Sequence, residues 1–541
     1  MTEKIVSNEE FRNGIQRGIN QLADPVKDTL GPMGNTVIVK NAFGAISITK
    51  DGVSVAEEIE FDPNTIEAIG ANLVKNVALK ANNLAGDGTT TATVLAQAIY
   101  NVGRKQLDLG VNAGDFNTGL KIARIDILKY LEGMKKMVTP ESPELKSVAL
   151  ISSNGEEDIA ETITKIYKKL GVHGVISVTQ GSGMETTMNM ITGMQFDRGY
   201  LSPYCVTDTI KMKVDFENPY VFLYDGKISQ FKQIYEAVEY AGQKNRPIIF
   251  VAEDVNESAL RGLAANHIRG NVRSAIVMAP GYGNKRVERL RDMAILFGGE
   301  LVTKEMVIED GQDQFNPMWL GEMEKAEITS TDTAFIGGTG KEEDILKRAQ
   351  HIQDQLVHHK GNKYEVDILE TRLGKLTSGV AMVKVGANSS EEAKELLDRV
   401  EDCKHAVKAA LAEGIVPGGG TALVEAAMKF EAKVFKDIIK PGVKAGYQAL
   451  CEAVKAPYNQ ILINAGLIPE VIQLECEIRP SGTGYNVRTE NYVPSLIEDG
   501  VIDPVKVVRI ALESSVSIVG TLLTSNYAII NKDDVTTTQF Q

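Results

Sequence analysis

The chain has 541 residues, of which 43% are hydrophobic and 24% charged, too many for a single core; at about 150 residues per domain, three or four domains are expected. Its 58 basic and 72 acidic side chains leave a net charge of −14, which excludes a protein whose main work is coating nucleic acid, since phosphate backbones call for a basic surface. No stretch approaches the ~18 uninterrupted apolar residues of a membrane span.

The opening MTEKIVSNEE has no apolar core of the kind a signal peptide carries. Phe11, Ile15, Ile19, Leu22 and Val26 recur at helical spacing, and that helix stops near Gly31-Pro32. TVIVK (36–40) and ISITK (46–50) flank NAFGA and predict a hairpin. Asn64 followed by Glu67 marks a helix start, continued on one face by Ile66, Ile69, Leu73 and Val77. The middle of the chain changes grammar. YVFLY (220–224), IIFVA (248–252), AIVMA (275–279) and ELVT (300–303) read as short buried strands, with helices around 233–243, 256–268 and 284–297 between them. That alternation predicts βαβ units, a mainly parallel sheet, and an α/β domain near 190–380 between two helical regions. Helices return after 340. Leu396, Val400, Cys403, Val407 and Leu411 stripe a helix over 391–412, and GGG (418–420) separates it from another beginning at TALVEAAMKF. The terminal NKDDVTTTQFQ is polar and predicts disorder.

Cys205, Cys403, Cys451 and Cys476 lie far apart and form no CxxC pair, so free thiols in a reducing cytoplasm are expected rather than disulfides or a cysteine zinc site. His358-His359 sits in a polar stretch and reads as solvated loop rather than metal ligand. The most informative segment is GDGTTTATVLAQAI (86–99). A long helix ends at AGDG and a second begins with three threonines. Gly86 and Gly88 let backbone approach a ligand, the free amides of the second helix favour an anion, and Asp87 supplies a hard oxygen suited to Mg²⁺. On residue types alone this is either a phosphate-binding helix start or a threonine-capped helix after a glycine turn. It is not a Walker loop, since GxxxxGK[ST] is absent. GYG (281–283) is a tight strand-to-helix turn or a weak cofactor loop, with Arg286 where a dinucleotide fingerprint wants glycine. Asp51 in ITKDGVS (48–54) either projects into a site or belongs to an ordinary Asp-Gly turn. Asp402 in VEDCKHAVKAALAEGIVPGGG (400–420) lies off its helix's apolar stripe, where a carboxylate is normally solvated; it serves chemistry only if another segment packs against that side.

Taken together and in order, TLGPMGNTVIV (29–39), ITKDGVSVAEEIE (48–60), GDGTTTATVLAQAI (86–99), FDRGYLSPY (196–204), VEDCKHA (400–406) and GGGTAL (418–423) closely resemble the group I chaperonins, the family of bacterial GroEL and the mitochondrial sixty-kilodalton heat-shock protein. The resemblance runs from about residue 5 to 530. It implies a multidomain GroEL-like fold: a mainly α-helical equatorial ATP-binding domain (1–134 and 413–541), a small α/β intermediate hinge domain (135–191 and 380–412), and an α/β apical domain binding clients and co-chaperonin (192–379). It implies an ATP hydrolase coupled to protein folding, a cytoplasmic chaperone with the isomerase label of that class. Its subunits would form a homo-oligomeric seven-membered ring, as a double ring of 14, working with unfolded clients and a GroES-like lid. Neither nucleic acid nor membrane would be a partner. The cofactors implied are ATP, Mg²⁺ and K⁺. The reading from another class is an ATP-independent holdase or ring-shaped binding protein that keeps the fold.

Carried over residue by residue, the resemblance assigns Thr29, Leu30, Gly31 and Pro32 to wrapping the nucleotide and Lys50 to the phosphates. It assigns Asp87 to the metal, with Gly88, Thr89, Thr90 and Thr91 on the phosphates and Ser152 joining from the intermediate domain. Gly419 and Asn486 would line the adenosine end and Asp503 the ribose. Asp402 would be the catalytic carboxylate ordering the attacking water, with Asp51 assisting. Gly193 and Gly379 would be hinges. The client and lid rim would comprise Tyr200, Tyr204, Cys205, Tyr235, Val238, Leu260, Ala264, Ala265 and Asn266. That rim is less apolar than the family's pattern at Cys205, Tyr235, Ala264 and Ala265, at about 0.8 kcal/mol of burial per missing methylene, which points to neutral drift, to a narrowed client range or to altered lid affinity. The family's glycine-methionine tail is absent. Ser390 stands where a carboxylate partner of Arg198 is usual, so altered cooperativity within a ring is expected.

Overall fold

The structure is a computed structural model. It describes every residue except 1–2, 41–45, 172–174, 182–183, 185, 192, 210, 305, 307–314, 359–362, 378–379, 388, 439, 481 and 532–541. The NAFGA turn, Gly379, His359 and all but the first residue of the polar tail therefore lie outside the described residues. The chain divides into two compact units: Met1–Lys168 with Ser389–Gln541, and Lys169–Asn388.

The first unit is helical. Asn8–Lys27, Ile66–Ala85, Thr89–Asp108, Ala113–Met134, Pro441–Ala453 and Val505–Leu523 are long helices. They share one core, with Ile15, Ile19, Leu95, Phe116, Leu120, Tyr447 and Leu512 almost wholly enclosed. Val505–Leu523 buries residues on all sides, as a central helix must. Ala113–Met134 and Pro441–Ala453 meet backbone to backbone: a Cβ on Gly119 would stand 2.1 Å from the Val443 carbonyl oxygen, and one on Gly446 2.0 Å from that of Phe116. The helix predicted from Asn64 is capped one residue later, by the Thr65 hydroxyl accepting from the Ala68 N–H at 3.2 Å. Val37–Lys40 pairs antiparallel with Ile46–Thr49, as the hairpin predicts. Two further short ladders matter below. Ile415–Pro417 pairs antiparallel with Ile502–Pro504, setting Val416 opposite Asp503. Lys136 and Ile415 exchange both backbone bonds, at 2.9 and 2.8 Å.

The second unit contains an eight-stranded sheet. Its main path runs Ser274–Met278, Ile248–Val255, Tyr220–Ile228, Gly321–Ile328, Thr333–Gly338, Gly193–Phe196. All four strands predicted here are present, and the three helices predicted between them are Tyr235–Gln243, Glu257–Ile268 and Asn284–Phe297. The mainly parallel sheet is corrected to a mixed one. Ser274–Met278, Ile248–Val255, Tyr220–Ile228 and Leu301–Thr303 are mutually parallel. Gly321–Ile328 runs against Tyr220–Ile228, Val214–Glu217 and Thr333–Gly338, which in turn runs against Gly193–Phe196. The reversal is made by a tight turn, in which the Thr329 N–H donates to the Asp332 carbonyl at 2.8 Å and the Thr329 hydroxyl oxygen accepts the Asp332 N–H at 3.0 Å. A separate three-stranded sheet is formed by Val175–Gln180, Val380–Val385 and Thr187–Ile191.

Candidate functional site

In the first unit, Gly86 closes the helix Ile66–Ala85 in the left-handed region at φ 74°, and Gly88 caps the next helix at φ 84°. Neither position has room for a side chain. A Cβ on Gly86 would meet the His405 ring at 2.2 Å, and one on Gly88 would meet Val507 Cγ1 at 2.5 Å. Asp87 is thereby held between two glycine corners, and the Gly88 N–H donates to its carboxylate. The helix starting at Thr89 then points its first amides past this turn.

Asp51 approaches from the hairpin. It caps the short helix Gly52–Glu58, accepting from Val53 N–H at 3.2 Å and from Ser54 N–H at 2.9 Å. A Cβ on Gly52 would stand 2.2 Å from Thr90 Oγ1, so the two segments touch at that glycine. Burial pushes the Asp87 carboxyl up to about 6, with Asp51 adding to the rise; bonds from the Gly88 amide and the Ser152 hydroxyl oppose it. Asp402 sits on the helix Ser390–Glu413, half-buried rather than solvated. Burial drives its carboxyl well above the ordinary range, reinforced by Asp87, then Asp51, Asp398 and Glu401. The solvated reading of Asp402 is thus corrected: another segment does pack against that side of its helix. Asp503 is likewise pushed up to about 6 by burial and by Asp87, against bonds from the Gly420 and Gly419 amides.

Four carboxylates from four distant stretches therefore converge on one turn. Among the described residues no group of three His, Cys, Asp or Glu side chains could hold a metal by itself. A desolvated carboxylate whose main neighbours are other carboxylates nonetheless fits a hard divalent ion, completed by phosphate and water oxygens. The principal influences on Asp87, Asp402 and Asp503 include no cationic side chain.

Cations gather separately. Lys50 donates to the Pro32 carbonyl at 3.1 Å, and its pKa is lowered by burial, then by Arg399 and Arg488. Arg399 bonds Glu156 Oε1 at 2.7 Å. The stretch Thr29–Pro32 is fixed in a way the sequence reading missed: Asn464 Nδ2 donates to the carbonyls of Lys27 at 3.0 Å and Leu30 at 2.9 Å. Thr29 turns its hydroxyl inward, to the Val26 carbonyl at 2.8 Å. Asn486, on the ladder of Gly484–Asn486 with Asn491–Val493, donates to Asp499 and accepts from the Arg488 N–H at 2.9 Å. Gly419, at φ 64°, has open space where a Cβ would stand, with only Val501 near. Thr89 is buried, while Thr90 and Thr91 are half-buried.

The rim positions lie in the second unit and take no part in this arrangement. Tyr204 (66%) and Tyr235 (50%) are exposed, as is Ala265; Tyr200, Leu260, Ala264 and Asn266 are half-buried. Cys205 (5%) and Val238 (6%) are instead buried, the thiol donating to the Ser202 carbonyl and Val238 packing beneath its helix, so neither offers contact area in this structure. Arg198 Nη2 donates to the Tyr282 hydroxyl at 3.2 Å, and the Ser390 side chain lies outside the described residues.

No described helix is long and apolar enough to cross a membrane. Among solved structures the chain is similar to the chaperonin gp146 from the bacteriophage EL 2 (Pseudomonas aeruginosa), crystallised in presence of ATP-BeFx. One crystal form gives a TM-score of 0.70 at 22% identity, covering 98% of this chain and 99% of that one. A second form gives 0.63 at 20% identity with the same coverage. At such identity the likeness fixes the fold. The model of the TCP-1/cpn60 chaperonin family matches residues 22–533. Spanning nearly the whole sequence, that match means that the chain belongs to the TCP-1/cpn60 chaperonin family.

Proposed function

We propose that the protein is an ATP-driven folding chaperone of the group I type. The observation that carries the reading is the convergence of Asp51, Asp87, Asp402 and Asp503 on the glycine-framed start of the helix Thr89–Asp108, with Lys50 set apart among cations. Bound Mg²⁺-ATP would supply a phosphoanhydride, with its charge shared between the metal and the protein. Asp87 would hold the metal, with Ser152 joining the site, and K⁺ would be a further cofactor. Gly88 and Thr89–Thr91 would face the phosphates together with Lys50; Thr29–Pro32, Gly419 and Asn486 would enclose the nucleoside, and Asp503 would take the ribose. Asp402 is the catalytic base in this scheme, with Asp51 assisting. Burial, reinforced by its acidic neighbours, raises the Asp402 carboxyl and so makes its carboxylate a stronger base than an exposed one.

The division into equatorial (1–134, 413–541), intermediate (135–191, 380–412) and apical (192–379) domains follows from the same reading. So do a ring of seven, doubled to 14, a GroES-like lid, a cytoplasmic setting, and client capture on the rim around Tyr204, Tyr235, Leu260, Ala264 and Ala265. The test is ATP turnover by the protein alone and refolding of a denatured client, compared with Asp402→Ala. Turnover should fall at least about a hundredfold while ATP binding persists. A wild-type protein that restrains client aggregation equally well with and without ATP would sink the reading in favour of a holdase.

A further inference from the structure

The basic end of this site contains one residue that nothing above assigns. Arg488 follows the ladder strand Gly484–Asn486, and its backbone is pinned by the Asn486 carboxamide oxygen, which accepts from Arg488 N–H at 2.9 Å and from Thr489 N–H at 3.4 Å. Its side chain is exposed and makes no hydrogen bond or ion pair among the described residues. It is not loose, however. A Cβ built on Gly155 would stand 3.4 Å from Nη1, 3.4 Å from Nη2 and 3.7 Å from Cζ, so the outer edge of the guanidinium faces the space that this glycine leaves bare. Gly155 holds φ at 94°, in the left-handed region, where a side chain is disfavoured in any case.

The loop under Arg488 is the one that reaches the acidic end. Ser152 bonds the Asp87 carboxylate, Ser153 is fully enclosed, and Glu156 takes Arg399 at 2.7 Å. Arg399 thus has its counterion, and Lys50 has the Pro32 carbonyl. Arg488 has neither, although it stands close enough to Lys50 for the two charges to repel. A cation placed beside another, seated on a shaped surface and lacking an acidic partner, is arranged for an anion that arrives from outside.

We propose that Arg488 is a further nucleotide-binding residue, its guanidinium engaging the phosphate chain at the basic end of the site. The inference rests on the ATP-site reading above and narrows it: the hairpin that lines the adenosine end also delivers a phosphate contact. It also assigns Gly155 a purpose, as the residue whose missing side chain leaves room for that guanidinium.

The test is equilibrium binding of ATP, ADP and adenosine to the full-length wild type, Arg488→Ala and Arg488→Lys. Because the contact is exposed, Arg488→Ala should weaken ATP and ADP roughly three- to tenfold, leave adenosine unchanged, and lose that difference as salt is raised. Arg488→Lys should recover part of it. If the wild type binds ATP and Arg488→Ala binds it within twofold, or if adenosine weakens as much as ATP, the inference is overturned while the site reading stands. If the wild type binds none of the three, the site reading falls and the inference with it. Arg488 is exposed, so its replacement leaves the core untouched and loss of fold does not stand in the way.

Discussion

Asp87→Asn replaces the carboxylate at the centre of the site by an amide of the same shape, whose oxygen can still accept the Gly88 N–H and whose Nδ2 can donate to the Ser152 hydroxyl oxygen. The Asp87 carboxyl stands at about 6 against an ordinary 3.8, a displacement of about two pH units. At ~1.4 kcal/mol per unit, ionising it in the folded protein costs up to ~3 kcal/mol. Sharing of the repulsion with Asp51 and Asp402, and partial solvation of the side chain, leave about 1–2 kcal/mol. The sign follows from the direction of the displacement. A carboxyl whose folded pKa exceeds its unfolded value destabilises the fold when ionised; the penalty is complete above pH ~6 and is withdrawn as pH falls towards 4. Urea unfolding at fixed protein concentration, with EDTA and without nucleotide, should therefore find Asp87→Asn more stable than wild type at pH 8 and equal to it near pH 4. Mg²⁺ should stabilise the wild type and leave the variant unmoved. A variant no more stable than wild type at pH 8, or an advantage that persists unchanged at pH 4, would refute the reasoning.

Two more predictions concern residues that touch the site from a distance. Asn464→Ala removes the side-chain donor from the carbonyls of Lys27, which keeps the Leu30 N–H, and Leu30; at about 1–1.5 kcal/mol for the pair of bonds, ATP affinity should fall roughly tenfold with turnover at saturation nearly kept, as read by nucleotide titration. Thiol labelling at pH 8 should modify Cys476, the half-buried cysteine, ahead of the other three. Cys205 and Cys451 are both buried and pushed up to about 12, and Cys403 is displaced upward too, so mass spectrometry should find these three unlabelled until urea is added.

The site's frame is written locally and was readable for that reason. A Gly-Asp-Gly between two helical patterns, then three threonines, specifies a sharp corner with free amides, and the structure places Gly86 and Gly88 at left-handed angles there. Three of the four strands of the parallel half were readable because each contains a short unbroken apolar run, and the fourth, Leu301–Thr303, because it follows a helical stretch in the same alternation. The antiparallel half was not: GEMEKAEI alternates polar and apolar residues, and TAFIGG ends in two glycines, so neither resembles a buried strand. What depends on long-range packing was also hidden. Asp402 looks solvated on its own helix; its burial, and the presence of Asp87 and Asp51 from some three hundred residues earlier in the chain, are not visible there. Asn464 and Arg488 carry no local signal either; their partners are carbonyls near residue 30 and a glycine at 155. At the rim, sequence position could not show that Cys205 and Val238 turn inward while Tyr204 and Tyr235 face out.

The paired backbone bonds between Lys136 and Ile415 have a mechanical consequence. The helix Ser390–Glu413, bearing Asp402, leads through Gly414 directly into Ile415–Pro417 and on to Gly419 and Gly420, whose amides hold Asp503. The Gly414 N–H is itself tied back to the Ala410 carbonyl at 2.8 Å. No slack segment separates the carboxylate at one end of this run from the amides at the other. Stapled to Lys136 at Ile415, the run works as a lever on a fixed fulcrum, with its longer arm on the Asp402 side and its shorter arm at the amides that hold Asp503.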